Sequence, residues 1–139
     1  VLFRSVKLKT LMDYLIDTNI CIYYFKGQFG LKEKIENIGF ENFAISEITL
    51  AELIYGAEKS QKVDKNLKVV EEFADQIEIL PILNCMRIYG KEKARLKSIG
   101  KTIGDLDLFI GSTAIVNNLT MVTRNTREFE RIEGISLEN

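Results

Sequence analysis

Short apolar runs alternate along the chain with longer stretches in which apolar residues recur every three or four positions. Runs of three to five apolar residues between polar ones are typical of buried strands, whereas the longer spacing is typical of amphipathic helices. The apolar runs predict strands at residues 14–16, 43–45, 77–80, 119–123 and, at an edge of the sheet, 135–137.

The segments between these runs carry helical patterns. Leu31, Ile35 and Ile38 share one helix face, and further patterns cover residues 50–57, 67–77, 85–99 and 106–117. Strands that alternate with helices indicate crossover connections, and hence a parallel sheet with helices on both faces. A length of 139 residues is typical of one such α/β domain.

Four acidic or amide residues lie where a predicted strand gives way to a helix: Asp17, Glu52, Asp107 and Asn125. In open parallel sheets, ligands bind beyond the carboxyl ends of the strands. The chain contains no histidine, which excludes a Ser-His-Asp hydrolase and a ribonuclease that uses imidazole as its acid or base. Clustered oxygen ligands indicate a hard cation, Mg²⁺ or Mn²⁺, and so metal-dependent phosphodiester chemistry.

Each of these positions also has a structural alternative, because short polar side chains cap helices and acids favour helix N-termini. The residues that could serve in this way are Asp17, Thr49 with Glu52, Asp105 with Asp107, and Asn125 with Glu128. Capping does not require carboxylates, however, and like charges held close together repel. Three carboxylates directed at one edge therefore favour a bound divalent cation.

Composition limits the kinds of partner, metal site and cellular location that are compatible with the chain. The net charge is −1, so a nucleic-acid partner needs a local basic patch. Cys21 and Cys85 form no C-x-x-C pair, which argues against a zinc or redox site. The chain has no apolar stretch of membrane-spanning length and no secretory signal pattern, so we expect no membrane association and a cytoplasmic location.

The periodic pattern begins at Met12, and the chain does not start with methionine. We therefore interpret residues 1–11 as a non-native or disordered N-terminal extension, and residues 12–139 as a single domain.

Four segments together resemble one family: LIDTN at 15–19, ISEITLAELIYGA at 45–57, IGDLDLFIGSTA at 103–114 and VTRNTREFERIEGI at 122–135. Their order and spacing resemble PIN-domain ribonucleases, and most closely the VapC toxins of type II toxin–antitoxin modules. The resemblance implies a three-layer α/β/α sandwich with a central, mainly parallel sheet of four to five strands. It also implies a Mg²⁺- or Mn²⁺-dependent endoribonuclease that leaves a 5′ phosphate and a 3′ hydroxyl.

Carried over by residue, the resemblance makes Asp17, Glu52 and Asp107 the metal ligands and places Asn125 at the family's fourth catalytic position. It implies supporting roles for small polar residues, namely Thr18, Asn19, Ser46, Thr49 and Thr123. Asp105 stands where the family often has proline. Two interpretations stay open for it, a helix cap or an additional carboxylate near the metal.

Basic residues indicate where RNA could lie. Arg124 and Arg127 flank Asn125, and Arg87, Lys91 and Arg95 share one face of the predicted helix at 85–99. The alternative for that helix is an ordinary solvated face. The resemblance further implies a VapB-type antitoxin partner, with Ile22, Tyr23 and Phe25 as candidates for its docking surface, together with homodimers and toxin–antitoxin hetero-oligomers.

The expected function is therefore that of a toxin which hydrolyses RNA, tRNA or rRNA by the resemblance, and so inhibits translation. Three rivals remain. One is a catalytically weak or decayed PIN domain that acts by binding RNA or protein, and another is a PIN nuclease outside a toxin module. The third, a phosphoacceptor receiver domain, fits poorly because the third strand ends in Leu80-Pro81 and the fourth in Thr123-Arg124, without the required aspartate and lysine.

Overall fold

The computed structural model describes residues 12–139. Its strands are β1 (Tyr14–Ile16), β2 (Phe43–Ser46), β3 (Glu78–Leu80), β4 (Thr120–Val122) and β5 (Ser136–Glu138). Its α-helices are α1 (Thr18–Phe25), α2 (Leu31–Ile38), α3 (Glu47–Glu58), α4 (Val63–Gln76), α5 (Met86–Ser98), α6 (Asp105–Val116) and α7 (Thr126–Phe129). Single turns of 3₁₀ helix, Phe40–Asn42 and Leu83–Cys85, precede β2 and α5.

The five strands form one sheet in the order β3-β2-β1-β4-β5, and every neighbouring pair is parallel. In the central strand β1, Tyr14 lies opposite Phe43 on one side and Thr120 on the other. Because all strands run the same way, their carboxyl ends share one edge of the sheet. The residues at the ends of β1, β2 and β4 therefore come together in space.

Side chains alternate between two cores, one on each face of the sheet. Leu15 points to a core built with α5 and α6, which contribute Leu96 and Leu108 among others. The next residue, Ile16, points to the opposite core, built with α1, α3 and α4. This period of two fits strands that are covered on both faces, where nearly every position is apolar. The architecture is a three-layer α/β/α sandwich, as predicted.

Each predicted strand is present, and its ends differ from the prediction by no more than one residue. Differences of this size are normal, because strand and helix ends fray. The proposed extension at residues 1–11 lies outside the described residues. Between Met12 and Asn139, no helix has the length and apolar character needed to span a bilayer.

Candidate functional site

Asp17 is held rigidly at the carboxyl end of β1. Its Oδ1 accepts a hydrogen bond from the backbone N–H of Ile20 at 2.9 Å and so caps α1. Its Oδ2 accepts a hydrogen bond from Thr123 Oγ1, just beyond β4, at 2.5 Å. Only 5% of Asp17 is exposed, and this burial raises the pKa of its carboxyl despite the hydrogen bonds that it accepts. The predicted capping role is confirmed, and it leaves the carboxylate facing the sheet edge.

Glu52 comes from the second turn of α3 and faces the first turn of α1. Thr18 Oγ1 donates a hydrogen bond to Glu52 Oε1 at 2.5 Å, and the buried Thr49 Oγ1 lies 3.2 Å from the same hydroxyl. The capping box proposed for Thr49 and Glu52 is wrong, because Ser46 is the N-cap of α3 and accepts from Ile48 N at 3.1 Å. The side chain of Glu52 is therefore directed toward α1.

Asp107 lies in the first turn of α6 and is half-buried among other acids. Burial, the charge of Glu128 and a hydrogen bond with Glu128 raise its pKa to about 6, with smaller contributions from the charges of Glu52 and Asp17. The charge of Glu52 also raises the pKa of Asp17. Asp17, Glu52, Asp107 and Glu128, which we call the acidic cluster, are thus electrostatically linked at one edge of the sheet.

Glu128 is the member of this cluster that the sequence reasoning did not assign to the site. Asn125, predicted at the fourth catalytic position, directs its Nδ2 to Glu128 Oε2 at 3.2 Å, and its backbone N–H bonds Thr123 Oγ1 at 2.9 Å. The spacing of three residues within α7 puts both side chains on one face. The sequence contains that spacing, but by itself it predicts only a capping pair of Asn125 and Glu128.

The supporting residues divide into two groups. Thr18 and Thr123 hold carboxylates directly, while Ser46 and Thr49 are fully buried beneath the site. Asn19 is exposed, and only its backbone N–H acts on the site, where it lowers the pKa of the Asp17 carboxyl slightly against the effect of burial.

Asp105 differs from both interpretations offered for it. Gly104 is the N-cap of α6, so Asp105 is not the cap. Its carboxylate instead accepts hydrogen bonds from Tyr89 Oη at 2.9 Å and Lys93 Nζ at 2.9 Å, both on α5. The hydrogen bond and charge of Lys93 lower its pKa. Asp105 therefore joins α6 to α5 rather than adding a ligand to the acidic cluster.

Two of the predicted RNA-binding residues are exposed arginines that follow Thr123 in the chain. Arg124 is exposed, with its guanidinium 4.2 Å above the ring of Phe29 and 5.9 Å from that of Tyr23. Arg127 is exposed on α7. Both follow Thr123, whose hydroxyl binds Asp17.

The basic face predicted on α5 is only partly present. Arg87 and Lys91 are exposed. The guanidinium of Arg95 binds both carboxylate oxygens of Glu92, at 3.0 and 2.8 Å, and the carbonyl oxygen of Arg131 at 2.7 Å. This side chain therefore joins segments of the fold, and its predicted contact with RNA stays a prediction.

The chemistry of the acidic cluster fits a divalent cation. All its donors are carboxylate oxygens, which Mg²⁺ and Mn²⁺ prefer, and their repulsion is the kind that a cation relieves. As they stand, no three acidic or thiol side chains among residues 12–139 are gathered tightly enough to hold one ion together. Ion binding therefore requires Asp107 or Glu128 to change rotamer, because Asp17 and Glu52 are held by hydrogen bonds from Thr123 and Thr18.

The fold and this edge of carboxylates are those of a known class. The family described as PIN domain matches residues 14–135, which is nearly all of the described chain, and the protein therefore belongs to the PIN-domain family.

Curated relatives place the chain among the VapC members of that family. The chain is 38% identical over 130 residues to the tRNA(fMet)-specific endonuclease VapC of Shigella flexneri, covering 93% of this chain and 98% of that protein. It is 40% identical over 131 residues to ribonuclease VapC2 of Rickettsia felis, covering 92% and 98%.

Solved structures agree with this assignment. The chain is similar to a chain of VapBC2 from Rickettsia felis bound to a promoter DNA fragment, with a TM-score of 0.85, 39% identity, and coverage of 92% of this chain and 98% of that one. It is similar to a chain of DNA-bound VapBC from Salmonella typhimurium, with a TM-score of 0.86, 40% identity, and coverage of 91% and 97%.

Proposed function

We propose that this protein is a metal-dependent endoribonuclease that acts as the toxin of a toxin–antitoxin pair and inhibits translation by cutting RNA. The observation that carries the proposal is the acidic cluster at the carboxyl edge of a parallel sheet, where burial and neighbouring carboxylates raise the pKa of Asp17 and of Asp107. A purely structural cluster would be destabilising. A bound Mg²⁺ or Mn²⁺ ion would offset the repulsion between these carboxylates.

In this proposal Asp17, Glu52 and Asp107 hold the ion, and Glu128 completes the set beside Asn125. When bound, Mg²⁺ or Mn²⁺ lowers the pKa of the attacking water and neutralises charge that develops on the phosphate. Thr123 and the N-terminus of α1 donate hydrogen bonds to the carboxylate of Asp17, which favour its ionised form against the effect of burial and fix its orientation. Thr18 donates a hydrogen bond to Glu52 and so fixes the orientation of that carboxylate.

The RNA strand is held by cations next to the cluster. Arg124 and Arg127 bracket Asn125 and are exposed, so they can bind phosphates on either side of the cut bond. Arg87 and Lys91, which are exposed on α5, are further candidates for phosphate contacts. No aromatic row accompanies these side chains in the sequence, so the proposed contacts are to the RNA backbone rather than to stacked bases.

We also propose a VapB-type antitoxin as partner, and homodimers or hetero-oligomers as the assembled forms. Relatives with solved structures include VapBC complexes. On this chain the candidate surface is the outer side of α1, where Tyr23 packs edge-to-face on the half-exposed Phe29. Beside it lies a cavity of about 370 Å³ with mainly apolar walls, rimmed by Lys34 and Arg124. Ile22 and Phe25 are partly buried and contribute less exposed surface.

The test is cleavage of total cellular RNA by the purified chain with Mg²⁺, Mn²⁺ or EDTA, followed by mapping of the ends. Initiator tRNA is the first defined substrate to try, because the relative from Shigella flexneri is named for it. Asp17→Asn should abolish cleavage while leaving the fold intact, since Oδ1 can still cap α1.

Asp13→Asn is the matched control. Asp13 is exposed at the opposite end of β1, so the same chemical change should leave cleavage at the level of the unsubstituted protein. Cleavage that survives EDTA, or that persists in Asp17→Asn, would contradict the metal site. Absence of cleavage by antitoxin-free protein with every metal would favour the alternative of a decayed, binding-only PIN domain.

A further inference from the structure

The turn that follows α7, residues 130–134, is bound to α5 by an unusually complete set of polar contacts. Arg95 on α5 donates to the carbonyl oxygen of Arg131 at 2.7 Å and lies 3.5 Å from the carboxylate of Glu133. Glu92, of which only 6% is exposed, accepts from the backbone N–H of Glu133 at 3.0 Å as well as from Arg95. The buried charge of Glu92 is thus compensated by three donors, as a buried carboxylate requires.

A second contact continues from this turn to the segment before α6. Arg131 Nη1 donates to the carbonyl oxygen of Thr102 at 3.0 Å. Thr102 lies five residues before Asp107, and the backbone N–H of Arg131 bonds the carbonyl oxygen of Glu128 at 3.2 Å. One residue therefore joins the segment that leads into Asp107 to the helical turn that carries Glu128.

Packing on the inner side of the turn has the same effect. Gly111 of α6 leaves no room for a side chain, because an added Cβ would lie 2.4 Å from Ile132 Cδ1. Ile132 itself is 1% exposed. The turn is therefore fixed against α6 by Ile132 and against the segment before α6 by Arg131.

From these contacts we infer that Arg131 is a positioning residue, which sets how Asp107 and Glu128 face each other across the acidic cluster. It touches neither carboxylate and acts only through the two backbone segments that deliver them. The inference rests on the proposed function, since the separation of these carboxylates matters only if they hold an ion. Outer contacts that orient ligands commonly change metal affinity by 10- to 100-fold when they are removed.

The experiment compares Arg131→Ala, Arg131→Lys and Lys97→Ala with the unsubstituted chain, with Mn²⁺ alone as the probe. Mn²⁺ affinity is read by electron paramagnetic resonance of the free ion, and stability by thermal unfolding in EDTA. Arg131 is exposed, so its replacement by alanine should leave the protein folded. Lys97, an exposed cation on α5, controls for the loss of one positive charge near the site.

We expect Arg131→Ala to weaken Mn²⁺ binding roughly tenfold, and Lys97→Ala to leave it unchanged. Arg131→Lys should recover most of the affinity, because a single N–H donor suffices for the bond to the Thr102 carbonyl. Affinity that stays equal in Arg131→Ala and the unsubstituted chain would overturn the inference while the proposed function stands. If the unsubstituted chain binds no Mn²⁺, both fall together.

Discussion

At the scale of single residues, hydroxyl groups determine which carboxylates in the site are rigid. Thr123 and Thr18 each place a hydroxyl 2.5 Å from a carboxylate oxygen, on Asp17 and Glu52 respectively. Hydrogen bonds to an ionised acceptor are stronger than neutral ones and favour the charged form. Asp107, by contrast, faces Glu128, another acid, and this pair concentrates the repulsion within the site.

This repulsion gives a prediction for stability against pH in metal-free buffer. The folded-state pKa of Asp107 is about 6, above its ordinary value of 3.8, so folding favours its protonated form. The stabilisation from that proton is complete below pH 3.8 and is lost as the pH rises through about 6. Asp107→Asn should therefore be more stable than the unsubstituted protein at pH 7, by on the order of 1 kcal/mol because solvent screens the half-buried pair.

Urea unfolding at pH 4, 5, 6 and 7 measures this difference, which should shrink toward pH 4. Asp105→Asn is a control of opposite sign on the same helical turn. The pKa of Asp105 is lowered by Lys93, so its contribution is present at neutral pH and lost in acid. Asp105→Asn should therefore be less stable than the unsubstituted protein at pH 7. An advantage of Asp107→Asn that is equal at pH 4 and pH 7 would refute the assigned cause.

At the scale of elements, the sequence pattern predicts which segments become strands and helices but not which side chains meet between them. Strands were predictable because both faces of the sheet are buried, so that runs such as Leu15-Ile16 are wholly apolar. The contacts of Arg95 are not predictable from the sequence, because its position on α5 suits a solvated face. Its acceptors at Arg131 and Glu133 come from a distant turn that only the tertiary fold brings opposite it.

Two glycines in helices test the packing between elements. Gly111→Ala in α6 should lower the free energy of unfolding by about 1–2 kcal/mol, because the new Cβ meets the buried Ile132 and overpacking outweighs the gain in helix propensity. The Cβ added by Gly90→Ala in α5 meets open space, so this change should raise the free energy of unfolding by about 1 kcal/mol. Chemical denaturation of both variants provides the comparison. Equal stabilisation by the two changes would mean that α6 can move away from Ile132.

At the scale of the whole molecule, the order of elements and three of the four carboxylates at the sheet edge were predictable from the sequence. Parallel strands bring their carboxyl ends together whatever the details of packing, so Asp17 and the segment after β4 had to meet. The place of Glu128 in the acidic cluster is not predictable from the sequence. Its closeness to Asp107 is a tertiary contact between α7 and α6, which the residue spacing within α7 does not encode.

The whole molecule also couples ion binding to folding, since an ion that binds only the folded form stabilises it by mass action. At a Mn²⁺ concentration about 100 times its dissociation constant, the unsubstituted protein should gain about 2.7 kcal/mol. Asp107→Asn lacks one proposed ligand and should gain less. The order of stability at pH 7 should therefore reverse, with Asp107→Asn the more stable protein in EDTA and the less stable one in Mn²⁺. Urea denaturation curves of both proteins in the two buffers measure this reversal. If Asp107→Asn were the more stable protein in Mn²⁺ as well as in EDTA, Asp107 would not be a ligand.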